Sequence, residues 1–80
     1  MELPVIGITM GDPTGIGPEI IVKALSMQEP FQVCRPVIFG DQDVLLRAIR
    51  IQDLSASLEL IDEIPVDGYQ PGKIFLFSLS

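Results

Sequence analysis

The residue run with the most chemistry in it is Gly11-Asp12-Pro13-Thr14-Gly15-Ile16-Gly17-Pro18-Glu19. It holds three glycines, two prolines, two carboxylates and a hydroxyl. An apolar run, Val5 to Met10, precedes it, and a helical pattern follows. The stretch therefore reads as a tight turn from a strand into a helix. In open α/β sheets such turns lie at the carboxyl ends of strands, where ligands bind. The spacing G-x-x-x-G-x-G is not the dinucleotide fingerprint G-x-G-x-x-G. No Lys-Ser/Thr pair follows, so it is not a P-loop either. A plain structural turn is the competing reading.

Electrostatics narrows what the turn could bind. A helix N-terminus offers unpaired N–H groups and favours an anion. Here Pro18 removes one donor, Glu19 occupies the positive end, and Asp12 adds a second carboxylate. A phosphate would meet two negative charges. Ribose hydroxyls or a nicotinamide ring would suit the turn better. Gly15 and Gly17 would let backbone come close to such a ligand, and Thr14 could offer its hydroxyl. Asp12 either accepts from a ligand hydroxyl or holds the turn by an Asx-type bond. Glu19 is explained by the helix dipole and by Lys23 four residues on.

The nonapeptide resembles the N-terminal signature of the 4-hydroxythreonine-4-phosphate dehydrogenases, usually written GDPAGIGPE. The likeness is strong over residues 4 to 25, and the layout of Pro36 to Asp41 and the following helix also fits. Thr14 departs from the usual alanine. Paralogues acting on phosphates of D-threonate or D-erythronate share the motif, so both substrate classes stay open. The resemblance implies a two-domain subunit with an isocitrate/isopropylmalate dehydrogenase-like fold. It implies a homodimer and NAD-dependent oxidation of 4-phosphohydroxy-L-threonine, followed by decarboxylation, in pyridoxal phosphate biosynthesis. It also implies a divalent metal (Zn, Mg or Co) held by histidines. This chain has no histidine, so that metal is expected outside the segment, and no catalytic residue is assigned within it. Only the turn carries over as a cofactor-binding wall: Gly11, Asp12, Thr14, Gly15, Ile16 and Gly17.

The elements that must position this turn follow from periodicity. Val5 to Met10 is a continuous apolar run, the signature of a strand covered on both faces. Pro18 suits the first helical position and Gly17 the cap. Ile20, Ile21, Ala24 and Leu25 fall on one helical face, and Pro30 is expected to close the helix. Pro36 to Phe39 reads as a second buried strand, followed by a turn with Asp41 or Asp43 as cap. Val44, Leu45, Ala48 and Ile49 form a second apolar stripe, with Asp43 and Arg47 as an i,i+4 pair. Residues 57–61 form a third strand, 62–72 a loop and 73–79 a fourth strand, with Phe75 and Phe77 in the core. Lys73 reads as a solvent-facing gatekeeper, and Glu59, Asp62 and Glu63 as solvated charges. The order β-α-β-α-β-β predicts an α/β fold with a mostly parallel sheet.

Composition sets the outer bounds. Eighty residues make one small domain at most, and 48% hydrophobic residues rule out a disordered chain. The net charge of −6 argues against nucleic acid and anionic membranes as partners. The lone Cys34 excludes an internal disulfide and reads as a small, partly buried apolar residue. There is no apolar run of membrane-spanning length and no basic signal region before Leu3, so cytoplasmic residence is expected. The apolar run Lys73 to Ser80 has no polar tail behind it. The expectation is a single incomplete α/β segment, residues 1–80, at the front of a longer polypeptide acting on a phosphorylated small molecule. The rival reading is an autonomous α/β binding module without catalysis.

Overall fold

The computed structural model describes residues 3–10, 17–52 and 55–78. Four strands and three helices follow in the order β1 (Val5–Thr9), α1 (Pro18–Leu25), α2 (Glu29–Val33), β2 (Arg35–Gly40), α3 (Gln42–Gln52), β3 (Ser57–Leu60) and β4 (Lys73–Ser78). The strands form one sheet in the order β1-β2-β4-β3, and every pairing is parallel. The α/β class and the parallel sheet are as the residue pattern predicts.

The sheet's two faces are covered differently, and the topology explains why. Ile38, Ile74 and Leu76 share a cluster with Ile21, Val22 and Leu25 of α1 and Leu45 and Ala48 of α3. This is the helix-covered face. Full burial of each large aliphatic side chain there contributes about 1.5–3 kcal/mol. The path from β1 to β2 and on to β3 runs in one direction across the sheet, over this face. The step from β3 back to β4 runs the opposite way, through residues 61–72. That return crosses the other face: Tyr69 meets the Phe75 ring edge-on at 4.9 Å, and Phe75 points away from Ile74 and Leu76. Reversing both the direction and the covering face keeps one crossover hand. Parallel strands need a connection of about a dozen residues or more, and this one meets that need without a helix. Gly72 closes it at φ +85°, donating to Leu25 O (2.8 Å) and accepting from Ser57 N (2.7 Å).

Several expectations are corrected. Pro30 does not close α1, which ends at Leu25 with Ser26 as its cap; instead Pro30 lies in the first turn of the short α2, where a missing N–H costs nothing. Strand β1 is not covered on both faces. Val5 is 38% and Ile6 46% exposed, because β1 is a sheet edge with β2 as its neighbour. Phe75 is buried, but Phe77 is only half-buried and stacks on Phe39 at 5.0 Å. The ion pair among the described residues is Lys73–Glu59 at 3.4 Å, not Glu19–Lys23 or Asp43–Arg47. Glu59 is therefore a cross-strand partner rather than a free solvated charge, and Lys73 is engaged rather than simply solvent-facing. Cys34 is half-buried, its Sγ donating to Pro30 O at 3.4 Å.

Candidate functional site at the carboxyl edge of the sheet

Because all strands are parallel, the ends of β1, β2 and β4 emerge on one edge of the sheet. The described chain leaves β1 at Met10 there, and beside it a strand-to-helix turn runs from Gly40 through Asp41 into α3. Met10 N donates to Phe39 O at 3.2 Å, which carries the β1–β2 ladder one residue past the strand. The Met10 side chain packs so tightly on Gly40 that a Cβ there would overlap its Cγ and Sδ.

Of the six residues assigned to the cofactor wall, Gly17 is described. It is the N-cap of α1, with φ −77° and ψ 164°, and Pro18 occupies the first turn as the pattern predicts. Ile21 N donates to Gly17 O at 3.1 Å. Gly17 supplies no side-chain cap. Glu19 instead reaches back over it, its Oε2 3.4 Å from where a Gly17 Cβ would lie. This carboxylate stands beside the helix N-terminus, so the described part of the turn suits a hydroxyl donor better than a phosphate. Gly11, Asp12, Thr14, Gly15 and Ile16 lie outside the described residues.

The neighbouring turn is locked by Asp41. Its Oδ1 accepts from Asp43 N at 2.8 Å and Val44 N at 3.1 Å, satisfying two donors at the start of α3. Asp41, not Asp43, is the cap. The first turn of α1 is tied to the far end of α3 by Gln52, whose Nε2 donates to Glu19 O at 2.8 Å. The sequence pattern carried no signal for that contact, which joins residues far apart in the chain.

A shallow recess of about 510 Å³ lies elsewhere, between the 61–72 return and the ends of β3 and β4. Glu59, Asp62, Glu63, Asp67, Lys73 and Phe75 are among its lining residues, and none comes from the carboxyl-edge turns. Its one cation, Lys73, already pairs with Glu59 and lies 5.1 Å from the Phe75 ring centre. With four carboxylates around it, this recess repels a phosphate. No cluster of three or more His, Cys, Asp or Glu residues able to hold a metal occurs among the described residues. No described helix is long and apolar enough to cross a membrane.

Comparison with known proteins supplies what the local geometry leaves open. No protein-family model matches the chain. It is 44% identical over 75 residues to a 4-hydroxythreonine-4-phosphate dehydrogenase of Desulfosudis oleivorans, covering 94% of this chain and 22% of that protein. The crystal structure of a 4-hydroxythreonine-4-phosphate dehydrogenase from Burkholderia phymatum superposes with a TM-score of 0.85 at 38% identity, over 99% of this chain and 24% of that one. The chain is a relative of the 4-hydroxythreonine-4-phosphate dehydrogenases. It is also 43% identical over 77 residues to a Symbiobacterium thermophilum protein provisionally named D-threonate 4-phosphate dehydrogenase, covering 95% of this chain and 23% of that protein. The likeness to dehydrogenases read from residues 4 to 25 thus extends across nearly the whole chain. The chain spans less than a quarter of the length of these dehydrogenases.

Proposed function

We propose that this chain is one incomplete α/β segment of a longer, NAD-dependent dehydrogenase. That enzyme oxidises and decarboxylates 4-phosphohydroxy-L-threonine in pyridoxal 5'-phosphate biosynthesis. The observation that carries the reading is the Gly11-to-Glu19 string bracketed by a parallel strand and a helix N-cap, in a chain 44% identical to a dehydrogenase of that name.

In this reading the turn walls the cofactor crevice. Gly11, Asp12, Thr14, Gly15, Ile16 and Gly17 would present backbone and the Thr14 hydroxyl to the ribose or nicotinamide part of NAD, while the carboxylates of Asp12 and Glu19 would keep phosphates away. NAD accepts the hydride from the substrate's secondary alcohol. A divalent metal (Zn, Mg or Co) and the groups that grip substrate phosphate belong to polypeptide outside this segment. The full-length enzyme is a cytoplasmic homodimer in this account.

A second reading, oxidation of D-threonate 4-phosphate or the D-erythronate analogue, is favoured by the relative carrying the D-threonate name. One experiment separates the two. The full-length polypeptide carrying this segment is assayed for NADH formation with each phosphorylated acid, NAD and added metal. A higher kcat/KM on 4-phosphohydroxy-L-threonine supports the first reading, and a higher value on D-threonate 4-phosphate supports the second. No NADH with any of these substrates contradicts both.

A further inference from the structure

Residues 11–16 join Met10 to Gly17, and the chain on both sides of them is held by one unit, β2 with α3. On the entry side, Met10 N donates to Phe39 O at 3.2 Å, and the Met10 side chain fills the space beside Gly40. On the exit side, Gln52 Nε2 donates to Glu19 O at 2.8 Å. Phe39 and Gly40 end β2, and Gln52 ends α3. Asp41 makes the joint between them firm by accepting from Asp43 N and Val44 N.

The Gln52 bond is not what forms α1 or holds it on α3. Glu19 O lies inside α1, where a carbonyl accepts from the N–H four residues on. A carbonyl has a second lone pair, and Gln52 uses it. Adhesion between the two helices comes from Ile21, Val22 and Leu25 packed with Leu45 and Ala48. Such apolar contact is non-directional, so it lets one helix slide along the other. A hydrogen bond has a required distance and angle. What Gln52 adds is therefore the placement of the first turn of α1 along α3.

We propose that Gln52 is a positioning residue for the cofactor wall. It holds Glu19, two residues past Gly17, at a set place relative to Met10, with α3 as the spacer between the two anchor points. That spacer is eleven residues, or about 16 Å. Gln52 acts through the backbone it holds rather than by contact with NAD. A binding wall works only as well as its supports place it, and a shift of about 1 Å is costly. The inference rests on the reading of the turn as a wall of the NAD crevice, and it names what sets that wall.

The test is made on the full-length polypeptide carrying this segment, by steady-state kinetics, thermal unfolding and residue-resolved amide exchange. Gln52→Met keeps the side chain's length and removes the donor. Gln52→Lys keeps a donor. Gln52→Met is expected to raise the KM for NAD by about 3–10-fold, with kcat at saturating NAD and the melting temperature held. The Gly15, Ile16 and Gly17 amides should exchange faster by a similar factor. Gln52→Lys should return both readouts toward those of the unaltered protein. Unchanged exchange at these amides in Gln52→Met overturns the proposal. So does a lowered melting temperature with KM and exchange unchanged, which is the mark of a plain staple. A Gln52→Lys protein as impaired as Gln52→Met overturns it too. Faster exchange with an unchanged KM for NAD would spare the clamp and defeat the cofactor-wall reading. If the unaltered protein makes no NADH, the enzymatic reading fails, and the exchange rates alone decide whether Gln52 holds the turn.

Discussion

Met10 and Gly40 interlock at the carboxyl edge of the sheet: the methionine side chain fills the space a Cβ on residue 40 would need. The contact joins the end of β1 to the turn that leads from Gly40 into α3. Gly40→Ala is expected to destabilise the fold by about 1–3 kcal/mol through overpacking. Met10→Ala should relieve that clash, so the double variant loses less than the two single losses added together. Denaturation midpoints of the four proteins in the cycle check this. Strict additivity would show that Met10 is not what crowds Gly40.

Asp41 fastens the second turn by accepting from Asp43 N and Val44 N. Asp41→Ala should cost about 1 kcal/mol, and Asp41→Asn should recover most of it. Thermal or urea unfolding reads the difference. Equal losses for both substitutions would mean the cap contributes through charge alone.

Tyr69 gives the fold a pH dependence at the alkaline end. Burial pushes its phenol above the ordinary value, while nearby Arg35 pulls the other way. The folded state therefore holds the phenolic proton to higher pH than the unfolded state. Its contribution to stability is complete below the unfolded value, near pH 10, and is lost as pH rises through the folded value. The chain has one tyrosine and no tryptophan, so the phenolate absorbance reports this group cleanly. The native midpoint should lie above that of the unfolded chain. A native midpoint at or below it would show that Arg35, not burial, dominates.

Core packing outweighs surface charge in this small chain. Leu45 is fully buried against the α1 and sheet residues, and Leu45→Ala should cost about 2–5 kcal/mol. Glu59 pairs with Lys73 on a half-exposed surface, and Glu59→Gln should cost less than about 1 kcal/mol. Chemical denaturation of both variants orders the two effects. A larger loss for Glu59→Gln would reverse the account of what holds the sheet together.

The parts of the fold that were legible in the residues are those governed by local rules. Gly17-Pro18 marks a helix start because cap and first-turn preferences act within one turn. Asp41 before Val44 and Leu45 marks the next. The apolar runs at 37–39 and 74–76 announce strands, buried at Val37, Ile38 and all of Ile74 to Leu76, with Phe39 only half-buried. What was not legible depends on distant partners. The insertion of β4 between β2 and β3 leaves no local trace, because the 61–72 return lacks a helix. Helix α2, Glu29–Val33, is too short for its periodicity to register, and Pro30 looks like a terminator. The exposure of β1 was not legible either, because its place at the edge of the described sheet depends on which distant strands pair. At the candidate site, the Gly17 cap was legible and is observed. The tie from Gln52 to Glu19 joins two helices and had no sequence signal.

The proposal on which the functional reading depends is that Gly11, Asp12, Thr14, Gly15, Ile16 and Gly17 line the NAD crevice of a longer dehydrogenase. The most direct measurement is the NAD dissociation constant of the full-length polypeptide with Gly15→Val, beside the unaltered protein and a check of its folding. The account predicts NAD binding weakened by at least about 10-fold, or 1.4 kcal/mol, with substrate binding little changed. A folded Gly15→Val variant that binds NAD as tightly as the unaltered protein would contradict it.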